Sequence, residues 1–234
     1  MVAAGLARRL RPLTDRTPKC LLEVQGQSMI ARAVSTFARE GIDRFTVVDG
    51  FHGDDLRAHL EQRFPPGWFR FARNDDYQTT NNAYSLLLAG ASDQERLLVA
   101  DSDLVFEDGV VTRLLAAPGN RLALRTRGDL GEEEVKVRID RGRIVDLDKG
   151  IPPAEAAGES LGLALFSPGA AVELFAILAR RIRVERRVDE YYEASFVEWI
   201  RAGGVLEPVD VGDLRCLEVD TAEDLERARS LFAR

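Results

Sequence analysis

Histidine and cysteine are scarce in this chain, which has two of each among its 234 residues. His52 and His59 lack a metal-ligand spacing and no cysteine cluster occurs, which excludes most zinc sites and most histidine-based general-base mechanisms. Cys20 and Cys216 lack the C-x-x-C spacing, so we expect no disulfide framework. Together with the lack of a signal peptide, they indicate a reduced, cytoplasmic setting.

Long apolar runs and the common catalytic and phosphate-binding motifs are also missing. No run approaches the length of a membrane span, and neither G-x-x-x-x-G-K-[ST], G-x-G-x-x-G nor G-x-S-x-G occurs. The formal net charge of −7 argues against broad binding to nucleic acid or anionic membranes, and we expect neither as a partner. A hydrophobic fraction of 45% and a charged fraction of 30% are typical of a soluble globular protein.

Positive charge is instead concentrated near the N-terminus. A short apolar run ends at Gly5, and five cations follow, with Pro12 and Pro18 among them: Arg8, Arg9, Arg11, Arg16 and Lys19. Small residues let backbone N–H groups approach an anion closely, and the prolines keep the cations from collapsing into a helix. The pattern predicts either a phosphate-binding loop that differs from the known motifs or no phosphate-binding loop at all. The known glycine motif is absent because Ala7 stands where a second glycine would be.

Apolar strands alternate with amphipathic helices in the first half of the chain. The periodicity predicts strands over 45–48, 68–72 and 97–100, and helices over 29–37, 54–64 and 81–91. This alternation predicts a mostly parallel sheet, whose ligands bind beyond the carboxyl ends of the strands. We expect Gly5 and Asp101 to lie at that edge.

The second half has an antiparallel rhythm. Short strands are predicted over 122–126, 135–139 and 144–147, the last two joined by a hairpin turn at 140–143. A mobile loop over 150–160 precedes a strand over 161–166, followed by helices over 168–180 and 190–202, and a loop and strand over 209–219. A capping box at 221–224 opens the final helix, which ends at Phe232.

Two pairs of carboxylates follow apolar strands: Asp101 with Asp103, and Glu218 with Asp220. Because residues i and i+2 of a strand point to one face, each pair can present its oxygens together. Mg²⁺ takes oxygen ligands and is often held by one or two carboxylates and by substrate phosphates. The alternative is that these acids only cap strands and helices.

Amide and hydroxyl side chains are concentrated in the segment 76–85, just before a predicted helix. Amides offer paired donor and acceptor groups that can recognise the edge of a base, and N–H groups at the start of a helix can add to them. The alternative is a helix cap with a polar loop. The position between two predicted strands favours base recognition.

The segment from Ala3 to Gly26 resembles the signature of the sugar-phosphate and alcohol-phosphate nucleotidyltransferases, in the pattern A-A-G-x-A-x-R-L-x-P-L-T-x-x-x-P-K-x-L-L-x-V-x-G. Later segments extend the resemblance over nearly the whole chain: Tyr77, Thr80-Asn81-Asn82, Ser85, Asp101-Ser102-Asp103, Gly158 to Gly162, and Glu218 to Thr221. The T-N-N-x-x-S form is most similar to the phosphocholine cytidylyltransferase branch and to its relatives that act on inositol phosphate or phosphonates.

The resemblance implies a Rossmann-like three-layer α/β fold with a mixed, mostly parallel central sheet and a smaller antiparallel acceptor-side portion. We predict a single domain over residues 1–234. The half that binds the nucleotide would extend to about residue 120, and the half that binds the acceptor would follow from about residue 121.

The resemblance also implies roles for individual residues. Arg9 and Lys19 would be the catalytic cations that offset charge on the triphosphate and on the leaving pyrophosphate, and Asp101 and Asp220 would hold Mg²⁺. The implied nucleotide-binding residues are Ala3, Ala4, Gly5, Leu6, Ala7, Arg8, Thr80, Asn81, Asn82 and Ser85. The candidates on the acceptor side are Asp103, Lys136, Lys149, Glu159, Tyr191, Tyr192 and Glu218.

A group of aromatic and acidic residues over 189–193 offers a second hypothesis for the acceptor. Tyr191 and Tyr192, with Asp189, Glu190 and Glu193, can enclose a cationic head group such as choline by ring faces and carboxylates. The alternative is an amphipathic helix that packs its aromatic residues and leaves its acids in solvent.

Two features depart from the resembled pattern. Most relatives have glycine where this chain has Ala7, a mild change unless the position needs a positive φ, where a Cβ costs about 1 kcal/mol. Only Met1 and Val2 precede the Ala-Ala-Gly turn, which indicates either a stunted first strand or a natural start further upstream.

The sequence therefore favours a Mg²⁺-dependent transfer of CMP from CTP to a small phosphorylated or phosphonate acceptor, such as choline phosphate or inositol phosphate, with release of pyrophosphate. The acceptor is already an anion and needs no general base, which agrees with the low histidine content. One rival is a sugar-1-phosphate nucleotidyltransferase that uses UTP or dTTP. The other, of a different class, is a regulatory nucleotide-binding protein that has lost catalysis.

Overall fold

The structure is a computed structural model that describes residues 1–91, 95–126 and 130–233. Its strands are β1 (Val2–Ala3), β2 (Glu23–Val24), β3 (Gln27–Ser28), β4 (Phe45–Asp49), β5 (Phe69–Arg73), β6 (Leu97–Ala100), β7 (Leu104–Phe106), β8 (Arg121–Arg125), β9 (Lys136–Asp140), β10 (Arg143–Asp148), β11 (Gly158–Phe166), β12 (Glu207–Asp210) and β13 (Cys216–Glu218). Its helices are α1 (Met29–Arg39), α2 (Gly53–Glu61), α3 (Asn82–Ala89), α4 (Asp108–Leu115), α5 (Pro168–Ala179), α6 (Glu193–Arg201) and α7 (Ala222–Leu231).

The central sheet is mixed, as the resemblance implies. β1, β4 and β5 pair in parallel, and a parallel bridge between Val2 and Asp101 places the end of β6 beside β1. β11 then runs antiparallel to both β6 and β8, and β12 pairs in parallel with β8. The hairpin of β9 and β10 attaches to the start of β11 and forms the antiparallel portion.

Alternation along the strands divides the core into two layers, one on each face of the sheet. In β11, Leu163 and Leu165 pack into one cluster, while Ala164 and Phe166 pack into the other, as the period of two requires. The first cluster is covered by α1, α2 and α4, and the second by α3, α5 and α6. The three-layer α/β prediction is therefore confirmed.

Several predicted boundaries are confirmed with their local chemistry. The turn between β9 and β10 has positive φ at both Arg141 (47°) and Gly142 (77°), as a tight hairpin turn needs. The side chains and backbones of Thr221 and Asp224 form the predicted capping box at the start of α7. β1, the first strand, contains only two residues.

Other predictions differ from the structure. The segment 150–160 is not a continuous loop, because it contains a 3₁₀ turn at Pro153–Glu155 and the start of β11 at Gly158. The helix predicted from residue 190 starts at Glu193. The sequence reading also missed β7 and α4. α4 has only eight residues and begins D-G-V-V-T, where glycine and β-branched residues weaken the helical signal.

Both cysteines are buried and free, in agreement with the prediction of no disulfide framework. Among the residues that the structure describes, we find no helix with the length and apolar character needed to cross a bilayer.

Candidate functional site

The N-terminal loop has a defined conformation, held by its own side chains. Leu10 is fully buried, and the carbonyl of Ala7 accepts hydrogen bonds from the Leu10 N–H at 3.1 Å and from the Thr14 hydroxyl at 2.9 Å. Ala7 itself is left-handed, with φ 45° and ψ 51°. The departure from glycine at this position therefore falls where a Cβ is costly.

Replacing Ala7 by glycine is expected to stabilise the unliganded protein. Relief of the left-handed strain is worth roughly 1 kcal/mol, or a rise in Tm of about 2–4 °C for a chain of this size. Ala38→Gly is the matched control, since the same change inside α1 should lower Tm by a similar amount. A fall in Tm for the Ala7 variant, measured by thermal melting, would contradict the expectation.

The loop forms one wall of a cavity of about 270 Å³, which we call the N-terminal cleft. Most of the residues predicted to bind the nucleotide line this cleft: Ala3, Ala4, Gly5, Ala7, Thr80, Asn81, Asn82 and Ser85. Arg9, Lys19, Asp101 and Asp220 line it as well, whereas Leu6 and Arg8 do not. The fold therefore brings the separate sequence motifs to one place.

Asn74 organises the polar segment of this cleft, and sequence reasoning missed it. Its side chain is 1% exposed, and its Nδ2 donates to the hydroxyls of Thr80 at 3.0 Å and Ser85 at 3.1 Å. Asn81 caps α3 by accepting from the Asn82 N–H at 2.8 Å. Asn74 directly follows β5, and that position at the carboxyl end of a strand was the available signal.

The two asparagines also tie this segment to the chain that leads into α6. The Asn81 N–H donates to the carbonyl of Val188 at 2.9 Å, and Asn81 Nδ2 donates to the carbonyl of Asp189 at 3.2 Å. Asn82 Oδ1 accepts from the Tyr192 N–H at 2.9 Å. The T-N-N segment and the predicted acceptor segment are therefore one hydrogen-bonded unit.

Tyr192 continues this unit to Asp101. Its side chain is 2% exposed, and its hydroxyl donates to Asp101 Oδ2 at 2.7 Å, so it does not form a wall of a cationic pocket. Gly162, at φ 62°, makes room for that carboxylate, since a Cβ there would lie 2.4 Å from Asp101 Oδ2. Burial and the charges of Asp103 and Glu193 raise the pKa of Asp101 well above its usual range.

Three carboxylates come together beside Asp101. Oxygens of Asp103, Glu218 and Asp220 lie within 4.8 Å of one another, because β13 pairs with β7 and sets Glu218 opposite Leu104. Among the described residues, Asp103 Oδ1 is buried with no hydrogen-bond partner. Sequence reasoning assigned Asp103 and Glu218 to the acceptor, but the structure groups them with Asp220.

The loop cations meet this acidic group. Lys19 Nζ lies 2.7 Å from Asp103 Oδ2 and also bonds Asp220 Oδ1, while Arg9 donates to Asp220 Oδ2 at 2.6 Å. Burial alone would lower the pKa of Lys19, but the two carboxylates outweigh it and raise that pKa above its usual value. Burial works against ionisation of Asp220, yet Lys19 and Arg9 hold its pKa below the usual range.

A second cavity of about 330 Å³, which we call the β11 cleft, is lined by residues 159–162 of β11. It shares a wall with the N-terminal cleft, made of Arg9, Asn82, Asp101, Lys149, Tyr191, Glu218 and Asp220. Of the residues predicted to contact the acceptor, Lys149, Glu159, Tyr191 and Glu218 line the β11 cleft. Arg125 and Glu134 also line it, and no sequence motif pointed to them.

Lys136 is not brought to either cavity. It is 2% exposed, and its ammonium donates to the backbone carbonyls of Lys149 at 2.6 Å and Glu134 at 3.3 Å. Its position corrects the prediction of an acceptor contact: Lys136 holds the backbone of two residues that do line the β11 cleft.

Only part of the predicted aromatic and acidic group over 189–193 lines the β11 cleft. Glu190 does not line the β11 cleft, because its carboxylate accepts from Arg181 at 2.7 Å and Arg187 at 3.1 Å. Tyr191 and Glu193 do line it. Lys149 Nζ lies 4.8 Å from the ring centroid of Tyr191, and burial raises the pKa of Glu193 to about 7.

Comparison with known proteins gives matches over most of this structure. A family model described as the MobA-like NTP transferase domain matches residues 1–195. The bifunctional IPC transferase and DIPP synthase of Rubrobacter xylanophilus is 30% identical over 99% of this chain and 51% of its own length. The 2-aminoethylphosphonate cytidylyltransferase of Lancefieldella rimae is 29% identical over 71% of this chain and 65% of its own length.

A solved structure of CTP:phosphocholine cytidylyltransferase from Streptococcus pneumoniae superposes with a TM-score of 0.78, at 20% identity, over 99% of this chain and 97% of that one. This likeness shows the fold. The chain spans about half to two thirds of the length of the two curated relatives above.

Proposed function

The chain belongs to the MobA-like NTP transferase domain family, and on that premise we propose that it transfers CMP from CTP to a small phosphorylated or phosphonate acceptor and releases pyrophosphate. One observation carries the proposal: Arg9 and Lys19 converge on Asp220 at the wall that the two clefts share. The name of the Lancefieldella rimae relative, a cytidylyltransferase for a phosphonate, supports both the nucleotide and the class of acceptor.

The nucleotide is proposed to occupy the N-terminal cleft. The backbone of Ala3, Ala4, Gly5 and Ala7 would meet base and phosphates, and the amides and hydroxyls of Thr80, Asn81, Asn82 and Ser85 would recognise the base. The ordered T-N-N segment supports this role, because Asn74 and the α3 cap hold its side chains in defined positions before any ligand binds.

The reaction would take place at the shared wall. An oxygen of the acceptor phosphate or phosphonate forms a bond to the α-phosphorus of CTP, and the bond from that phosphorus to the bridging oxygen breaks, with pyrophosphate leaving. Arg9 and Lys19 would release Asp220 and bind phosphate oxygens instead, and their positive charge would offset the negative charge of these oxygens. Lys149 lines both clefts and would hold the acceptor's anionic group.

The residues present fit a Mg²⁺ ion. Asp101 and Asp220 are the proposed ligands. Beside them, oxygens of Asp103, Glu218 and Asp220 lie within 4.8 Å of one another, and the buried Asp103 Oδ1 has no hydrogen-bond partner among the described residues, so an oxygen of this group is free to bind a cation. Burial and the carboxylates of Asp103 and Asp220 raise the pKa of Glu218 to about 8. This raised pKa also indicates a group that a bound cation would stabilise. A Mg²⁺ ion bound here would supply charge compensation for the phosphates.

The test is pyrophosphate release from a panel of four NTPs against choline phosphate, inositol phosphate, 2-aminoethylphosphonate and sugar 1-phosphates, with Mg²⁺ present. The proposal expects release with CTP and an alcohol phosphate or phosphonate. Release only with UTP or dTTP and a sugar 1-phosphate would favour the sugar-nucleotide rival. Binding of nucleotide with no release across the panel would favour the regulatory rival.

A further inference from the structure

The β11 cleft contains a buried carboxylate that forms no ion pair among the described residues. Glu193 lines this cleft but not the N-terminal cleft, and its side chain is 6% exposed. Its Oε2 is buried with no hydrogen-bond partner among the described residues. A buried carboxylate without a partner is costly, so its retention on a cavity wall calls for a ligand that supplies donors and charge.

The surroundings of Glu193 show that it is held in place. The preceding residue, Tyr192, is anchored through its N–H to Asn82 and through its hydroxyl to Asp101. Glu193 is also the first residue of α6, whose Phe196 and Trp199 pack in the core. The carboxylate therefore cannot easily swing into solvent to find water instead.

Carboxylates outnumber cations in the part of the β11 cleft that the N-terminal cleft does not share. Two arginines, Arg125 and Arg227, line this part together with five acids: Glu133, Glu134, Glu159, Glu193 and Asp224. The cations Arg9 and Lys149 lie on the shared wall, where the proposed reaction places the anionic group of the acceptor. Glu134, like Glu193, lines only the β11 cleft, and its Oε2 is also buried without a partner. An acceptor suited to this cleft is anionic at one end and a hydrogen-bond donor with positive charge at the other.

The type of cation follows from the aromatic content of the cleft. Tyr191 is the single aromatic side chain among the described residues that line it, and Lys149 already lies over that ring. A quaternary ammonium is recognised by several aromatic faces and has no N–H, so it would leave Glu193 Oε2 unpaired. A primary ammonium has three N–H donors and can donate one to this oxygen.

We infer that the acceptor is a phosphate or phosphonate that carries a primary amine, and that Glu193 binds the ammonium group and determines this specificity. The inference rests on the proposed function and narrows it to one class of acceptor. It predicts that the preferred acceptor is neither a phosphate with a quaternary ammonium group nor the phosphate of an uncharged polyol.

The test compares acceptors built on one skeleton, with CTP and Mg²⁺ and with pyrophosphate release as the readout. Phosphoethanolamine carries the primary amine, choline phosphate the quaternary ammonium, and ethyl phosphate no nitrogen, while inositol 1-phosphate represents the polyols. We expect kcat/KM for phosphoethanolamine to exceed that of each of the other three by at least about 10-fold. A higher value for choline phosphate or inositol 1-phosphate overturns the inference.

Glu193→Gln separates binding of the amine from a structural role. It should lower kcat/KM for phosphoethanolamine by roughly 10- to 100-fold, mainly through KM, and change the value for ethyl phosphate by less than about 2-fold. The KM for CTP should not change. An equal loss with both acceptors would show that Glu193 only supports the fold.

Glu198→Gln is the matched control, because it makes the same change on the same helix. Its carboxylate accepts from Arg181 at 2.7 Å and lines neither cleft, so acceptor preference should be unchanged. Failure of the inference is distinguishable from failure of the proposed function. A higher kcat/KM with choline phosphate or inositol 1-phosphate than with phosphoethanolamine retains the proposed function and rejects the amine specificity, whereas no release with any NTP and acceptor rejects the proposed function.

Discussion

Replacing Lys19 by methionine is expected to lower kcat for the proposed nucleotidyl transfer by roughly 10²–10³-fold, as removal of a single preorganised electrostatic stabiliser does elsewhere. The side chain of Lys19 is 14% exposed, lines the N-terminal cleft and contacts Asp220 of the shared wall. Methionine keeps most of the volume and removes the charge. The measurement is steady-state pyrophosphate release with saturating CTP.

The same variant is expected to be less stable. Lys19 lies between the carboxylates of Asp103 and Asp220, and removing the cation from such a buried group costs on the order of 3 kcal/mol. Because the folded-state pKa of Asp220 is lowered, its contribution to stability is present above its unfolded pKa and is lost as pH falls. The deficit in Tm should therefore be fully present at pH 8 and should shrink only below about pH 4, as the pH falls toward the lowered pKa of Asp220.

Two controls distinguish this role from a general effect of charge. Lys19→Arg keeps the cation and should retain more of both activity and stability than Lys19→Met. Arg11→Met removes an exposed cation of the same loop, paired with Asp15 at 3.4 Å, and should change neither kcat nor Tm substantially. Wild-type turnover in Lys19→Met would reject the role of this residue in phosphate binding.

Asp101→Asn and Asp220→Asn are each expected to lower kcat by roughly 10²–10³-fold and to weaken binding of a divalent metal ion. The amide keeps the shape of the side chain and removes the charge that would hold the ion. Binding of Mn²⁺ to the protein with CTP, followed by calorimetry, gives a readout that does not depend on turnover. Asp15→Asn, an exposed acid of the loop, is the matched control and should leave both unchanged.

The structure makes a second outcome of this experiment informative. Asp103→Asn and Glu218→Gln test the acidic group that lies beside Asp101. Suppose that those two variants lose Mn²⁺ binding while Asp101→Asn keeps full binding and activity. The metal ligands would then be assigned to this acidic group and not to Asp101. In that case Asp101 would act only through its hydrogen bond with Tyr192.

Parts of the site could be predicted from the sequence because they depend on a few neighbouring residues. The turn at Gly5 and the cations after it lie within one short loop, and Asp101 follows an apolar strand directly, so neither depends on distant contacts. The Asn81 cap and the Thr221 capping box were likewise predicted from a few adjacent residues. α4 was missed because glycine and β-branched residues give it little intrinsic helical signal.

By itself, the amino-acid sequence determined the alternation of strands and helices, the basic N-terminal loop and the two carboxylate pairs, because each is encoded over a few neighbouring residues. Only the tertiary structure decided which of these groups meet. Pairing of β13 with β7 joined Glu218 and Asp220 to Asp103 and Lys19, residues far apart in the chain. Burial, which depends on the whole fold, enclosed Lys136 and Tyr192. It also left Glu193 Oε2, on a cavity wall, without a hydrogen-bond partner among the residues that the structure describes.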